Sequence, residues 1–229
     1  MSALLVGIDG PSGSGKSTVA KRVAHELGIG YLDTGAMYRA LTWRALDLGI
    51  DLNDDAATRK LADSLALEMP IVKGSQRVLV AGVDITEAIR EPRISESVAP
   101  IARNLDIRAW MAREQRKQML AARDKGTGMV AEGRDITTVV CPEADVRVLL
   151  TADEEARLRR RTQEIHGEVT AETLAATRSQ IADRDRSDAT VAEFMEPAPG
   201  VTVVDSSNMT IEQVADRVLE LAREHTPTL

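Results

Sequence analysis

The run Gly10-Pro11-Ser12-Gly13-Ser14-Gly15-Lys16-Ser17 holds the first residues whose types and spacing do chemistry together. It fits G-x-x-x-x-G-K-[ST] from Gly10 to Ser17. Such a loop turns several backbone N–H groups into one concavity that suits a di- or triphosphate. Its glycines permit backbone angles that a Cβ forbids and let the chain approach the phosphate closely. Lys16 then reaches the β- and γ-phosphates and the Ser17 hydroxyl ligates Mg²⁺. Pro11, Ser12, Ser14 and Thr18 complete the loop and the turn behind it. The alternative is a Ser/Gly-rich turn that matches by chance. The apolar run Leu4–Ile8 before it, and the helical spacing of Val19, Ala20, Val23 and Leu27 after it, favour the phosphate loop.

Strands and helices must alternate to place this loop. Leu4–Ile8, Gly30–Asp33, Met129–Glu132, Val146–Leu150 and Val201–Val204 read as strands. Helices are expected over Lys16–Leu27, about Ala36–Leu48, Asp54–Leu65, Arg93–Arg103, Ile107–Arg123, Asp153–Ile165, Thr170–Ser187 and Thr210–Arg223, several closed by a glycine such as Gly28 or Gly49. Leu67–Val72, Arg77–Val80 and Val83–Ile85 are short β-like runs separated by Lys-Gly-Ser and Ala-Gly turns. They interrupt the alternation and read as an insert. Only the last few residues look loose. The fold class is therefore α/β, with a five-stranded parallel sheet covered by helices on both faces. In such a sheet ligands bind off the carboxyl ends of the strands, where Asp9–Ser17, Asp33-Thr-Gly, Glu132-Gly-Arg-Asp, Thr151–Asp153 and Asp205–Asn208 converge.

Composition narrows the partners. The 229 residues carry a formal net charge of −7, against a nucleic-acid binder with a broad basic surface. The cations are 23 Arg against 6 Lys, a bias that suits bidentate phosphate contacts and equally follows from a GC-rich coding sequence. A single Cys141 excludes an intramolecular disulfide framework and a cysteine zinc site, and His25, His166 and His225 lack metal-ligand spacing. The N-terminus lacks the charged start and longer apolar core of a signal peptide, and no apolar run is long enough to span a membrane. A soluble cytoplasmic protein without membrane or nucleic-acid partners, acting as a monomer, is the expectation.

Ile8-Asp-Gly-Pro-Ser-Gly-Ser-Gly-Lys-Ser17, Leu32-Asp-Thr-Gly-Ala-Met-Tyr-Arg39, Glu132-Gly-Arg-Asp-Ile136 and Arg184-Asp-Arg-Ser-Asp188 resemble the motif set of bacterial cytidylate kinases over nearly the whole chain. These are P-loop nucleoside-monophosphate kinases. The resemblance implies transfer of the γ-phosphoryl group of ATP to CMP or dCMP with Mg²⁺, in pyrimidine nucleotide supply. It also implies a P-loop core at 1–35 and 102–229, a nucleoside-monophosphate-binding domain at 36–101, and a short helical lid at about 155–168.

Phosphoryl transfer needs alignment and charge neutralisation more than covalent help. Lys16, the loop amides and Mg²⁺ at Ser17 would hold the donor, with Asp33 or Asp9 reaching the metal through water; the alternative for either carboxylate is a loop cap. The resemblance places Thr34, Tyr38 and Arg39 at the acceptor, with Arg39 and Arg134 on its α-phosphate. It gives Asp135 and Arg108 to the base, Asp188 to the ribose hydroxyls and Arg184 to a neighbouring phosphate or sugar contact. Cytosine offers an N4 donor to Asp135 and acceptors at N3 and O2 to Arg108; uracil presents an acceptor where Asp135 needs a donor. Arg157, Arg160 and Arg161 form a positive cluster able to close over the transferring group, or else a solvated face paired with Asp153, Glu154, Glu155 and Glu164.

The chain departs from the family pattern at Val191, where an Arg is usual, at Ala99, where a base-contacting Ser is usual, and in lacking Arg-x-x-Ala-Pro-Leu between Asp188 and Pro199. Other readings are a P-loop kinase for a different small acceptor, or a nucleotide-dependent switch. No Asn-Lys pair supports a guanine-recognition motif.

Overall fold

The apolar runs form one parallel sheet because their side chains are buried alternately on its two faces. A computed structural model describes residues 3–72 and 75–225. Along the chain lie β1 (Leu5–Asp9), α1 (Lys16–Leu27), β2 (Gly30–Asp33), α2 (Thr34–Asp47) and α3 (Asp55–Asp63). Five two-residue strands follow: β3 (Leu67–Glu68), β4 (Ile71–Val72), β5 (Ser75–Gln76), β6 (Leu79–Val80) and β7 (Val83–Asp84). A 3₁₀ turn (Ala88–Arg90), α4 (Pro92–Ser97), α5 (Ala99–Arg103) and α6 (Leu105–Asp124) lead back to β8 (Met129–Gly133). After a π-helical turn (Ile136–Val140) come β9 (Val146–Thr151), α7 (Glu154–His166), α8 (Ala171–Ala189), β10 (Thr202–Asp205) and α9 (Ile211–Glu224).

The large sheet runs β10-β9-β1-β8-β2, all parallel. On one face Val6, Ile8, Tyr31, Val130, Val146, Val148 and Leu150 pack with Val19, Val23, Val214 and Val218 of α1 and α9. On the other, Leu5, Leu32 and Ala131 pack with Met37 and Leu41 of α2 and Ile107, Met111 and Met119 of α6. A third apolar cluster joins Ala36 and Ala40 of α2 to Val78, Val80, Ile85 and Ile89. Register brings the carboxyl ends together: Asp9 lies opposite Gly133 and Asp33 opposite Glu132. Among the described residues no helix is long and apolar enough to cross a membrane.

Two expectations change. The helix expected over Arg93–Arg103 is two helices, because Pro100 lacks the N–H and crowds the preceding turn. The run expected over Leu67–Val72 splits into β3, which pairs with β6, and β4, which pairs with β5; Pro70 between them cannot donate to a ladder. Lys73 and Gly74 of the expected turn, and residues 226–229, lie outside the described residues.

Candidate active site

The donor side is the loop between β1 and α1. Gly10, Gly13 and Gly15 all have positive φ, at 152°, 75° and 92°. Space demands glycine at two of them. A Cβ on Gly10 would lie 2.1 Å from the Leu150 carbonyl oxygen, and one on Gly13 would lie 2.5 Å from that of Arg157. Gly15 caps α1 without any side-chain acceptor, so the open amides of the first turn face outward from the helix dipole's positive end. Ser12, Ser14 and Pro11 are buried in the loop; Ser17 and Thr18 sit at its exposed helical end. Ser14 Oγ is buried and has no hydrogen-bond partner among the described residues.

Lys16 Nζ donates to the Pro11 carbonyl at 2.8 Å. Burial, together with the nearby Arg134, pushes its pKa down to about 7, while Glu132 pulls it the other way. The Ser17 hydroxyl donates to Glu132 Oε1 at 2.7 Å, and the buried Tyr31 hydroxyl reaches the same oxygen at 3.4 Å. Burial and the neighbouring Asp33 raise the pKa of Glu132. Asp33 feels the same burial, yet Arg39 and the Ala36 amide hold it below the usual carboxylate range. Asp33 caps α2 through Ala36 N at 2.9 Å and pairs with Arg39 Nη2 at 2.9 Å.

Asp9, expected to compete for the metal, uses both oxygens elsewhere. It accepts from Ile136 N at 2.9 Å, Thr137 N at 2.7 Å and Thr137 Oγ1 at 2.7 Å, so it caps the π-helical turn. Burial raises its pKa to about 6 against those hydrogen bonds. Thr34 is likewise occupied, donating to the Glu132 carbonyl at 2.7 Å and tying the end of β2 to that of β8.

Arg134 follows β8 and is held on every side. Nε donates to Asp188 at 2.9 Å, Nη1 donates to the Gly10 carbonyl, Nη2 lies 3.5 Å from Asp185, and the guanidinium stacks 4.6 Å from the centre of the Phe194 ring. Arg184 is 3.9 Å from Asp188, and burial with the nearby Arg134 lowers its pKa to about 10; Arg161 and Arg39 push the same way. Arg108 pairs directly with Asp135, whose pKa burial raises although Arg108 opposes it. Tyr38 stands beside that pair: burial pushes its hydroxyl up, and Asp135, Arg108 and Asp188 all act on it. The structure thus gathers Lys16, Arg39, Arg134, Arg161 and Arg184 into one positive basin, with Arg108, Asp135, Tyr38 and Asp188 beside it.

Three of the four arginines of α7, the candidates Arg157, Arg160 and Arg161, part company. Arg157 turns to the loop and pairs with Asp185; Arg160 donates to Ser206 Oγ at 2.9 Å and to its carbonyl at 2.6 Å; Arg161 pairs with Glu164 at 2.8 Å. Sequence reasoning passed over Glu132, Asp185, Phe194, Ser206 and Gln76 as site residues. Glu132 and Asp185 stand inside motifs and Ser206 in the strand-end run Asp205–Asn208, which was signal enough; nothing local marks Phe194 or Gln76.

A family model described as cytidylate kinase matches residues 6–224. This chain belongs to the cytidylate kinase family. It is 45% identical over 221 residues to a cytidylate kinase of Cutibacterium acnes (strain DSM 16379 / KPA171202), covering 96% of both chains. It is 38% identical over 222 residues to that of Geobacillus thermodenitrificans (strain NG80-2), covering 96% of this chain and 97% of the relative. Against a bifunctional pantoate ligase/cytidylate kinase of Synechococcus sp. (strain CC9311) the identity is 42%, and the match spans 44% of that longer protein. An uncharacterized protein from Eubacterium ventriosum ATCC 27560 shares the fold, with a TM-score of 0.50 at 12% identity over 95% of this chain and 96% of the other. Membership in the family makes the protein a nucleoside-monophosphate kinase with ATP as phosphoryl donor.

Proposed function

We propose that this protein transfers the γ-phosphoryl group of ATP to CMP or dCMP, giving CDP or dCDP and ADP. The observation that carries the acceptor assignment is the half-buried Arg108–Asp135 pair beside the arginine basin. A pyrimidine base entering there exchanges this mutual contact for its own edge. Cytosine returns an acceptor pair to Arg108 and an N4 donor to Asp135; uracil leaves Asp135 facing an oxygen.

In this reading the loop amides, Lys16 and Ser17 hold the donor. Arg39, Arg134 and Arg184 hold the acceptor phosphate, Asp188 the ribose, and Tyr38 the side of the base. Arg157 and Arg161 neutralise charge on the transferring group, and Arg160, set against Ser206, lies at the outer end of the donor loop. Thr34 acts through the backbone of Glu132. Hard oxygen donors meet at Ser17 Oγ and Glu132, with the ionised Asp33 next to them, which suits Mg²⁺ held mainly by phosphates and water. Ser17, with Glu132 and Asp33 behind it, would hold Mg²⁺, which would supply charge neutralisation on the donor phosphates. The assignment of 36–101 as the acceptor-binding domain is supported by its own apolar cluster on α2, and that of 155–168 as lid by the arginines of α7. The protein acts as a cytoplasmic monomer.

The test is an acceptor panel of CMP, dCMP, UMP and AMP with ATP and Mg²⁺. CMP and dCMP should lead in kcat/KM. Faster turnover of UMP or AMP defeats the base assignment, and ATP consumption equally fast without any acceptor defeats the kinase reading.

A further inference from the structure

Asp185 stands in the last turns of α8 and is buried, 9% exposed. One oxygen accepts from the Ser12 backbone N–H at 3.0 Å and lies 3.5 Å from Arg134 Nη2. The other pairs with Arg157 Nη1, which also donates to the Ser12 carbonyl at 3.2 Å. Asp185, Ser12 and Arg157 therefore close a ring of hydrogen bonds around one residue of the donor loop. The first turns of α7 press on the same spot, where only the absent Cβ of Gly13 leaves room for the Arg157 carbonyl. Arg157 Nε remains buried without a partner among the described residues, a donor kept in reserve beside the loop.

We propose that Asp185 is a positioning residue that couples the donor loop, the α7 arginine and the acceptor arginine, so that all three are aligned together for transfer. The inference rests on the reading of Arg134 and Arg157 as phosphate-neutralising groups. Its physical basis is charge. The Arg134 and Arg157 guanidiniums both contact Asp185, Lys16 lies close enough to feel it, and like charges held together in low dielectric repel strongly. Asp185 is the anion shared by Arg134 and Arg157; with Asp188 on the Nε of Arg134, it lets both point inward before any phosphate arrives. A fixed carboxylate with two charge-assisted partners also removes their rotamer freedom in advance of the reaction. Asp185 touches no substrate in this arrangement; it acts through Arg157, Arg134 and Ser12.

The experiment is a double-mutant cycle on CDP formation from CMP and ATP, with Asp185→Asn, Arg157→Ala and the pair, each checked for folding by thermal melting. Asn keeps the acceptor for Ser12 N–H and removes the charge. Asp185→Asn should lower kcat by about 30-fold, equivalent to about 2 kcal/mol, with KM for ATP within about threefold of wild type. Arg157→Ala should lower kcat by about 100-fold, and the double variant should be little worse than Arg157→Ala alone. Losses that multiply in the double variant, or a kcat near wild type for Asp185→Asn, overturn the proposal. Asp185→Glu, which keeps the charge one methylene further out, decides the matter if Asp185→Asn does not fold. A loss of about tenfold that vanishes in the Arg157→Ala background supports the coupling, and an unchanged or independent rate refutes it. Wild-type protein that forms no CDP would instead sink the kinase reading, and this inference with it.

Discussion

Lys16 is the residue whose surroundings say most about nucleotide binding. Burial and Arg134 hold its pKa near 7 in the free protein. A bound polyphosphate must raise that pKa, because an opposite charge within a few ångströms favours the ammonium form. Between that pKa of about 7 and the raised pKa of the complex, the complex binds more protons than the free protein, so ATP affinity should fall as pH rises. Between pH 7.5 and 9, where the phosphates themselves are fully ionised, Kd should increase by up to about tenfold per pH unit. Calorimetry in two buffers of different ionisation enthalpy should show proton uptake on binding. Lys16→Met should weaken binding and flatten the profile; an unchanged slope in that variant counts against Lys16 as the titrating group. Arg134 and Asp135, neighbours in sequence, should fail differently. Arg134→Ala loses a guanidinium held by four partners and should cut kcat by about 100-fold for every acceptor. Asp135→Ala should reduce kcat/KM for CMP at least about tenfold more than for UMP; equal losses would remove its base-reading role. Lys16 and Ser17 were legible as candidates from the fixed spacing of the loop, and Arg134 and Asp135 from the resemblance of Glu132–Ile136 to a family motif. The partners of Asp185 were not, since Ser12 lies 173 residues away. Phe194, the single phenylalanine of the chain, had no local signal, yet it covers the face of Arg134 in the segment that departs from the family pattern.

At the scale of elements, the five strands were readable from apolar runs and their order from nothing in the sequence. Parallel pairing of β1 with both β8 and β9 depends on long-range packing. The π-helical turn Ile136–Val140 was also invisible, because Thr137, Val139 and Val140 follow no helical period. The turn is closed by bonds from Val140 N to the Asp135 carbonyl and from Cys141 N to the Ile136 carbonyl, and it is capped by the sequence-distant Asp9. The carboxylate at the end of β1 replaces the missing acceptors for two consecutive amides and a hydroxyl of the turn. From the sequence an Asp before a phosphate loop reads either as a metal carboxylate or as a loop cap; here its two oxygens hold the Ile136 and Thr137 amides, directly after Asp135. Asp9→Ala would leave buried N–H groups unpaired and should cost about 3–5 kcal/mol in urea unfolding, together with loss of CMP selectivity. Stability within about 1 kcal/mol of wild type would mean that the turn is held by other contacts.

Over the whole molecule, one side chain of the small strands hydrogen-bonds the edge of the large sheet, beside the apolar contact of Leu67 and Met69 with the cluster around Leu32. β2 is an edge strand of the parallel sheet, and the outward-facing groups of Tyr31 and Asp33 lack a neighbouring strand. Gln76, on β5, supplies the missing pairing. Its amide nitrogen donates to the Tyr31 carbonyl at 3.0 Å and its oxygen accepts from Asp33 N at 3.1 Å, as the backbone of an added strand would. The same contact fixes the backbone of Asp33, whose carboxylate holds Arg39 and the start of α2. A residue in the insert thus sets both the attachment of that insert and the aim of an acceptor arginine. Because the insert packs on α2 through its own apolar cluster, removing the amide should leave the core folded and loosen only the junction. Gln76→Ala should raise hydrogen exchange at the Asp33 amide by about tenfold, the equivalent of one lost hydrogen bond of about 1.4 kcal/mol. It should also raise KM for CMP severalfold with little change in KM for ATP, since the donor loop sits across β1 and β8 from this edge. Exchange at Asp33 unchanged from wild type would show that the edge is protected without Gln76. A rise in KM shared equally by ATP and CMP would show that the side chain serves the sheet as a whole and not the acceptor side.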